Sequence, residues 1–468
     1  INMGYAYFKD GVHERKSYFD VYFRKIPFGG GYAVFAGLAK IIDYVNSFEF
    51  SKSDIEFLRE LGYEEDFLEY LSNMKFTGSI RSVKEGEIIF ANEPLLRIEA
   101  PLIQAQIMET AILNIVNYQI LIATKAARIK HLCPDEVCME FGTRRAHEFD
   151  AAIWGTRASI IGGFDATSNV KAAKLFNIPC SGTHAHSFVQ AYEDEEVAFK
   201  KYAAAHKDCY FLVDTYDTLR LGVPAAIRVA RELGDKINFL GVRIDSGDLA
   251  YQSKKCRKRF DEEGFTKAKI TLTNSLDEQL IRSLREQGAC VDMYGVGDAI
   301  AVSKSYPCFG GVYKIVELDE VPLIKISGDV IKISNPGFKE VYRIFDKDGF
   351  AYADLISLVK NDNDKEKLLN HEELMIRDEK YEFKNSLLKK DEYTYKKLTK
   401  IYIKDGVIDK ELHDELFDIM KSQKHYFDSL AKVSPERKRL ENPHSYKVDL
   451  SSDLINLKYG LINKIKNV

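Results

Sequence analysis

Short apolar runs alternating with helical stretches predict an α/β chain whose middle part is an incomplete (β/α)8 barrel. Two further observations support that class. Nearly every run in the middle region ends in a polar or glycine-rich cluster, and the segments on either side have a different texture. The expected organisation is an N-terminal α+β domain over residues 1–110, a barrel over 111–335 and a C-terminal α/β extension over 336–468.

In chain order, the stretch from Lys75 to Pro101 is rich in β-formers and turn signals, among them Glu85-Gly86, and predicts several short strands. Ile103 to Lys130 has a helical pattern with few breakers and reads as a connector into the barrel. The barrel runs are Val137–Phe141, Ile178–Cys180, Tyr210–Val213, Ile237–Ile244, Lys269–Leu272, Cys290–Tyr294 and Gly311–Val316. Strands spaced by helices imply βαβ units and a parallel sheet. Beyond about Lys332, the stretch Tyr342–Phe350 carries a hairpin signal around Asp348-Gly349, Asn361–Lys367 reads as a solvated loop, and Lys410–Tyr426 is helical.

Composition narrows the function classes. With 468 residues, 45% hydrophobic and 29% charged, the chain is an ordinary globular sequence of two or three domains. A net charge of −4 gives no sign of affinity for nucleic acid or membrane. No apolar run in the sequence approaches the roughly 20 residues of a bilayer span, and no basic-then-apolar leader follows Ile1. The seven cysteines are odd in number and scattered, which reads as buried thiols in a reducing, cytoplasmic setting. Cys133 and Cys138 lack a second pair at zinc spacing, so no metal site is expected there.

The polar residues point to a site. Phe141 leads into Gly142-Thr143-Arg144-Arg145, Ile178 into Ser181-Gly182-Thr183-His184-Ala185-His186, and Val213 into Asp214-Thr215-Tyr216-Asp217. Ile244 leads into Asp245-Ser246-Gly247-Asp248, Leu272 into Thr273-Asn274-Ser275, and Tyr294 into Gly295-Val296-Gly297-Asp298. Ends of barrel strands converge on one mouth, where active sites sit. Arg144, Arg145 and Arg243 offer forked donors for carboxylate or phosphate. Asn274-Ser275, Gly295 and Gly297 offer backbone N–H groups to a phosphate. Asp245 and Asp248 suit ribose hydroxyls, a magnesium-bound pyrophosphate or a developing cation, with helix capping the plainer role for Asp248. His184 and His186 are the closely spaced histidines, one of them a base or a nucleophile toward phosphorus.

At these residues the chain resembles the nicotinate phosphoribosyltransferases. The likeness is carried by Glu140-Phe141-Gly142-Thr143-Arg144-Arg145, Gly162–Asn169, Gly182–Ser187, Gly241–Asp248 and Gly310–Lys314, and near the start by Phe23–Gly30. It runs in order from about residue 2 to about residue 345. The resemblance implies a type II phosphoribosyltransferase-like barrel, a homodimer, and a reaction of nicotinate with phosphoribosyl pyrophosphate. Nicotinate mononucleotide and pyrophosphate are the implied products, with coupled ATP hydrolysis, Mg2+ and no prosthetic group. It makes His186 the phosphohistidine, gives Arg144, Thr183 and Arg243 contacts to nicotinate, lays Phe141 against the pyridine ring, and has Asp214 pair with His186. Asp245 is then a catalytic carboxylate, while Ser246, Gly247, Asn274, Ser275, Gly295 and Gly297 bind substrate.

Two departures accompany the likeness. The family's Asp-x-Tyr element would lie just before Ile1, and Asp298 stands where some relatives have Thr. No cysteine follows Cys308, so the zinc-binding C-terminal module of some relatives is not expected. The competing readings are a nicotinamide phosphoribosyltransferase and a non-catalytic phosphate-sugar sensor on the same barrel.

Overall fold

The apolar runs of the middle region assemble into a six-stranded, all-parallel sheet. In the computed structural model, which describes residues 1–378 and 384–466, this sheet belongs to one of two compact units, Ile122–Pro307. The other unit joins Ile1–Leu121 to Cys308–Val468.

The strands of the first unit are β1 (Val137–Glu140), β2 (Ala166–Thr167), β3 (Asp208–Leu212), β4 (Asn238–Ile244), β5 (Lys269–Leu272) and β6 (Met293–Val296). Their spatial order is β2-β1-β6-β5-β4-β3. Followed around a ring, that is simply chain order with one opening, between β2 and β3. Helices cross between the strands, among them Phe149–Ile161, Val223–Leu233, Leu249–Glu262 and Glu278–Glu286. Strand residues such as Val242, Ile244, Ile270, Leu272 and Val296 are buried, as a sheet covered on both faces requires. The sheet is thus an incomplete barrel.

The opening explains one departure from the sequence reading. Ile178–Cys180 does not extend into a strand; it makes a single parallel bridge, Cys180 to Thr167. At the end of β3, Val213 N–H bonds its neighbour β4 at Arg243 O (3.1 Å), while Leu212 N–H points to the open edge. There it donates to His184 Nε2 at 3.2 Å. A histidine side chain therefore stands in for a carbonyl of the absent neighbouring strand.

The helix Leu102–Leu132 matches the expected connector and is 31 residues long. Its length and hydropathy would suit a bilayer crossing, contrary to the sequence reading that nothing approaches that length. However, 56% of its most apolar window is buried inside the protein. Lys125, 1% exposed, pairs with Glu278 at 2.6 Å, and Arg128 joins the same carboxylate at 3.0 Å. This is the pattern of a core helix.

In the second unit, Lys16–Phe23 lies between Leu96–Pro101 and Gly311–Leu318 in a seven-stranded sheet, antiparallel to both. Gly311–Val316, grouped by its apolar texture with the barrel strands, belongs here instead. Tyr313 stacks on Phe19 and donates its hydroxyl to Ala105 O at 2.7 Å. The expected hairpin forms from Lys339–Phe345 and Ala351–Leu358. Asn361–Lys367, expected as a solvated loop, is largely helix: Asn363–Leu369 is capped by Asp362, which accepts Lys365 N–H at 2.9 Å, and it buries Leu368. The helical stretch from Lys410 divides into Lys410–Phe417 and Ile419–Ala431, broken where Asp418 caps the second. Deep in this unit Arg343 binds Asp354 through two nitrogens (2.9 and 2.7 Å) and Glu87 through a third (2.8 Å). The cysteines are not uniformly buried: Cys133, Cys138, Cys209 and Cys256 are, whereas Cys180 and Cys308 are exposed.

Candidate active site

The C-terminal ends of the parallel strands carry the polar clusters to one face of the barrel unit. At the end of β4, Arg243 is held by Thr183, to whose hydroxyl its Nη1 donates at 2.5 Å. Its Nε is buried without a partner, and among the described residues it has no ion pair. Burial holds its guanidinium below the ordinary arginine range, against the pull of Asp245 and Asp214, and the like charge of Arg144 adds to the lowering. Arg243 and Arg144 thus share one region, in which the Asp245 and Asp214 carboxylates partly offset the charge on Arg243. Arg144 and Arg145 sit on the short helix Thr143–Arg145 and are exposed.

Close packing under the mouth depends on glycines. A Cβ at Gly295 would fall 2.7 Å from the Phe141 ring and from Thr273 Cγ2; one at Gly142 would fall 2.6 Å from Gly297 O. Phe141 therefore lies half-buried over β6. Asn274 and Ser275 are consecutive left-handed residues (φ 87° and 50°), and Gly247 has φ 76°. Such turns are sparsely populated by residues other than glycine and cluster at ligand-binding loops.

His186 opens the helix His186–Gln190. Its Nδ1 is 3.2 Å from Thr215 Oγ1, and its Nε2 is 3.8 Å from Asp245 Oδ2. Asp214 faces elsewhere: its Oδ2 accepts Asp245 N–H (2.9 Å) and the Ser246 hydroxyl (2.6 Å), leaving Oδ1 buried and unpartnered. The expected Asp214–His186 pair is accordingly absent, and Asp245 is the carboxylate beside the imidazole. The reason is local: Asp214 is buried at the end of β3 and closes on the neighbouring β4 turn. Asp245 Oδ1 in turn accepts from Thr273. Asp248 is the N-cap of Leu249–Glu262, accepting Tyr251 N–H at 2.9 Å. Asp298 begins the short helix Asp298–Ala301.

His184 has a different environment from His186. It is 6% exposed among Phe188, Phe199, Tyr202 and Phe211, and burial pushes its pKa down to about 4. It stays neutral and structural.

Four residues near these positions have no role in the sequence reading, which quotes Glu140, Thr215 and Thr273 within its motifs and does not name Glu195. Glu140, 4% exposed at the end of β1, accepts Gly142 N–H and the hydroxyls of Thr156 (2.9 Å) and Thr167 (2.7 Å), and burial pushes its carboxyl up. It anchors the turn that presents Phe141 and Arg144. Thr215 and Thr273 hold His186 and Asp245. Glu195, 4% exposed, is pushed up to about 7 by burial, with Asp214 and Asp217 adding to the rise. A carboxylate as the last residue of a buried strand is the signal that would have marked Glu140; nothing local marks Glu195.

Comparison with known proteins agrees with this geometry. The nicotinate phosphoribosyltransferase N-terminal domain profile matches residues 1–117, the family profile residues 137–298 and the C-terminal domain profile residues 338–458. Over its whole length the chain is 51% identical to the nicotinate phosphoribosyltransferase of Bacillus subtilis (strain 168), covering 94% of that protein. The chain belongs to the nicotinate phosphoribosyltransferase family. The Caenorhabditis elegans nicotinate phosphoribosyltransferase is 34% identical over 98% of this chain and 92% of its own. The crystal structure of human nicotinic acid phosphoribosyltransferase superposes with a TM-score of 0.85 at 27% identity, covering 98% of each chain. The family profile over residues 137–298 spans the strands of the incomplete barrel from β1 to β6.

Proposed function

We propose that the chain is a nicotinate phosphoribosyltransferase that converts nicotinate, phosphoribosyl pyrophosphate, ATP and water to nicotinate mononucleotide, pyrophosphate, ADP and phosphate. The observation that carries this reading is the half-buried Arg243, its guanidinium fixed by Thr183 and close enough to Arg144 to feel its charge, in a chain of this family. A planar carboxylate on an aromatic ring is the ligand such a pair accepts. A carboxylate can accept from both guanidinium forks and a neutral amide oxygen makes weaker bonds to them, which supports the acid over nicotinamide.

Arg243 and Arg144 orient the nicotinate carboxylate, and Phe141 supplies an apolar face to the ring, so that its nitrogen is aimed at ribose C1. As the C1–oxygen bond to pyrophosphate breaks, positive charge grows on the sugar, and Asp245 is the carboxylate available to stabilise it. Backbone N–H groups around Asn274-Ser275 and Gly295–Gly297, with Ser246 and Gly247, hold the phosphates. Among the described residues no three His, Cys, Asp or Glu side chains gather as a metal cage. Asp245 and Asp248 are the carboxylates at the mouth that would hold Mg2+ brought in with the phosphates. The ion would offset charge on the leaving pyrophosphate.

His186 takes the γ-phosphoryl group of ATP onto an imidazole nitrogen, releasing ADP, and water later removes the phosphate. Thr215 and Asp245 orient the ring for that step, a role the family resemblance alone would have given to Asp214. The protein acts as a cytoplasmic homodimer on this reading, which sedimentation and cell fractionation check.

The test is mononucleotide formation with phosphoribosyl pyrophosphate, magnesium and either nicotinate or nicotinamide, with and without ATP. Nicotinate turnover accelerated by ATP, with the acceleration lost in His186→Asn, is the expected result. Turnover of nicotinamide alone would move the function to the amide. Retention of phosphoribosyl pyrophosphate without turnover would make the chain a sensor.

A further inference from the structure

We propose that Cys133 and Cys138 form a redox couple, a buried dithiol that peroxide closes to an intramolecular disulfide. The two Sγ atoms lie 3.0 Å apart, inside van der Waals contact, and both residues are fully buried. Bond formation needs a closure of only about 1 Å, since a disulfide spans roughly 2.0 Å. Cys133 follows the helix Leu102–Leu132, and Cys138 is the second residue of β1, so the bond would staple helix end to strand start.

The turn between them is already clamped. Cys138 N–H donates to Asp165 Oδ2 (2.8 Å), which also accepts Lys130 Nζ (3.0 Å). Lys130 Nζ reaches Glu136 O as well (2.8 Å). Cys133 donates its S–H to Ile129 O at 3.1 Å, which leaves its sulfur lone pairs to the Cys138 thiol. Ordering the turn before reaction removes most of the cost of bringing the thiols together. A metal role lacks support, because no third ligand gathers beside the pair among the described residues. The other buried cysteines, Cys209 and Cys256, have only backbone or apolar neighbours at their sulfurs among the described contacts.

The chemistry balances with peroxide as the oxidant. One thiol, as its thiolate, attacks a peroxide oxygen and becomes a sulfenic acid as water leaves. The second thiol then attacks that sulfur, a second water leaves, and the net change is two thiols and one peroxide to one disulfide and two waters. The hydrogen bond it donates to Cys133, together with burial, pushes the Cys138 thiol up, so the thiolate is scarce and the reaction slow. Full burial also shuts out bulky disulfides, which must reach sulfur in line to exchange. The couple therefore answers to small neutral oxidants and not to the glutathione pool.

The experiment uses full-length protein carrying Cys180→Ser, Cys290→Ser and Cys308→Ser, which removes the accessible thiols. After hydrogen peroxide or oxidised glutathione, remaining thiols are alkylated in denaturant and mapped by mass spectrometry. With peroxide, Cys133 and Cys138 are expected to be unalkylated and linked in one peptide lighter by two hydrogens. Dithiothreitol should reverse this, and oxidised glutathione should leave both alkylated. Wild-type protein treated in parallel should give the same linked peptide, which covers the case in which the triple variant folds poorly. Full alkylation of both after peroxide, or sulfinic acids on an unlinked peptide, would overturn the proposal. Closure by oxidised glutathione would overturn the restriction to small oxidants.

Discussion

Replacing His184 tests whether a side chain seals the open edge of the barrel. In His184→Ala the Leu212 N–H loses its acceptor, and an unpaired buried donor costs about 1–3 kcal/mol. The hole left among Phe188, Phe199, Tyr202 and Phe211 adds roughly 2–4 kcal/mol. The sum is on the order of 3–7 kcal/mol, or a urea midpoint lowered by about 1–2.3 M for a slope near 3 kcal/mol/M. The single tryptophan, Trp154, lies in the barrel unit against Phe176, so its fluorescence reports that unit's unfolding. His184→Gln, which keeps an acceptor, should lose far less. The pH dependence gives an independent check. The folded imidazole titrates at about 4, below its unfolded 6.5, so in that window the unfolded chain binds more protons. Stability present at neutral pH is therefore lost as pH falls from about 6.5 toward 4, by roughly 3 kcal/mol. His184→Gln cannot take up that proton and should lack this part of the slope. Equal urea midpoints for wild type and His184→Ala, or the same acid slope in wild type and His184→Gln, would refute the reasoning.

Three further perturbations follow from contacts described above. Arg243→Lys keeps the charge but loses the fork, and should raise KM for nicotinate about 10- to 100-fold in steady-state assays, with KM for phosphoribosyl pyrophosphate little changed. Glu140→Gln weakens the acceptor of Gly142 N–H and two threonine hydroxyls; a stability loss of about 1–3 kcal/mol by urea denaturation and a higher nicotinate KM are expected. Arg343→Met removes the cation paired with buried Asp354, while Glu87 keeps Lys396 and His425, and should cost about 3–5 kcal/mol, seen as an earlier transition by circular dichroism.

The strand positions of the barrel were legible because a strand buried on both faces is a short continuous apolar run. Lys269–Leu272 is the same segment in sequence and structure, and Val137–Phe141 and Ile237–Ile244 differ by one residue at one end. The same property misled at Gly311–Val316, since periodicity carries no information about which sheet a run joins. What places it is Tyr313, through its ring on Phe19 and its hydroxyl on Ala105, contacts nearly 300 and over 200 residues away in the chain. The helix at Asn363–Leu369 was hidden for the opposite reason. Its composition is that of a solvated loop, and an Asp362 cap with one buried leucine suffices to hold it.

Site membership was also a local property, because the residue after a barrel strand reaches the mouth whatever its partners. Partnership was not. Asp214 and Asp245 each end a strand, and either carboxylate suits an imidazole; the choice falls to Asp245 because Asp214 is consumed by the β4 turn. The division between the two histidines has a similar origin. The segment 181–187 must cross the gap between β2 and β3, and on it the adjacent residues Thr183 and His184 face opposite ways, one to Arg243 and the other to the Leu212 edge. The helix that starts at His186 then turns the chain so that its imidazole comes back to Thr215 and Asp245. A closed barrel would offer β3 a strand carbonyl instead of His184. The missing strand is therefore what makes one histidine structural and leaves the other beside the carboxylate at the mouth.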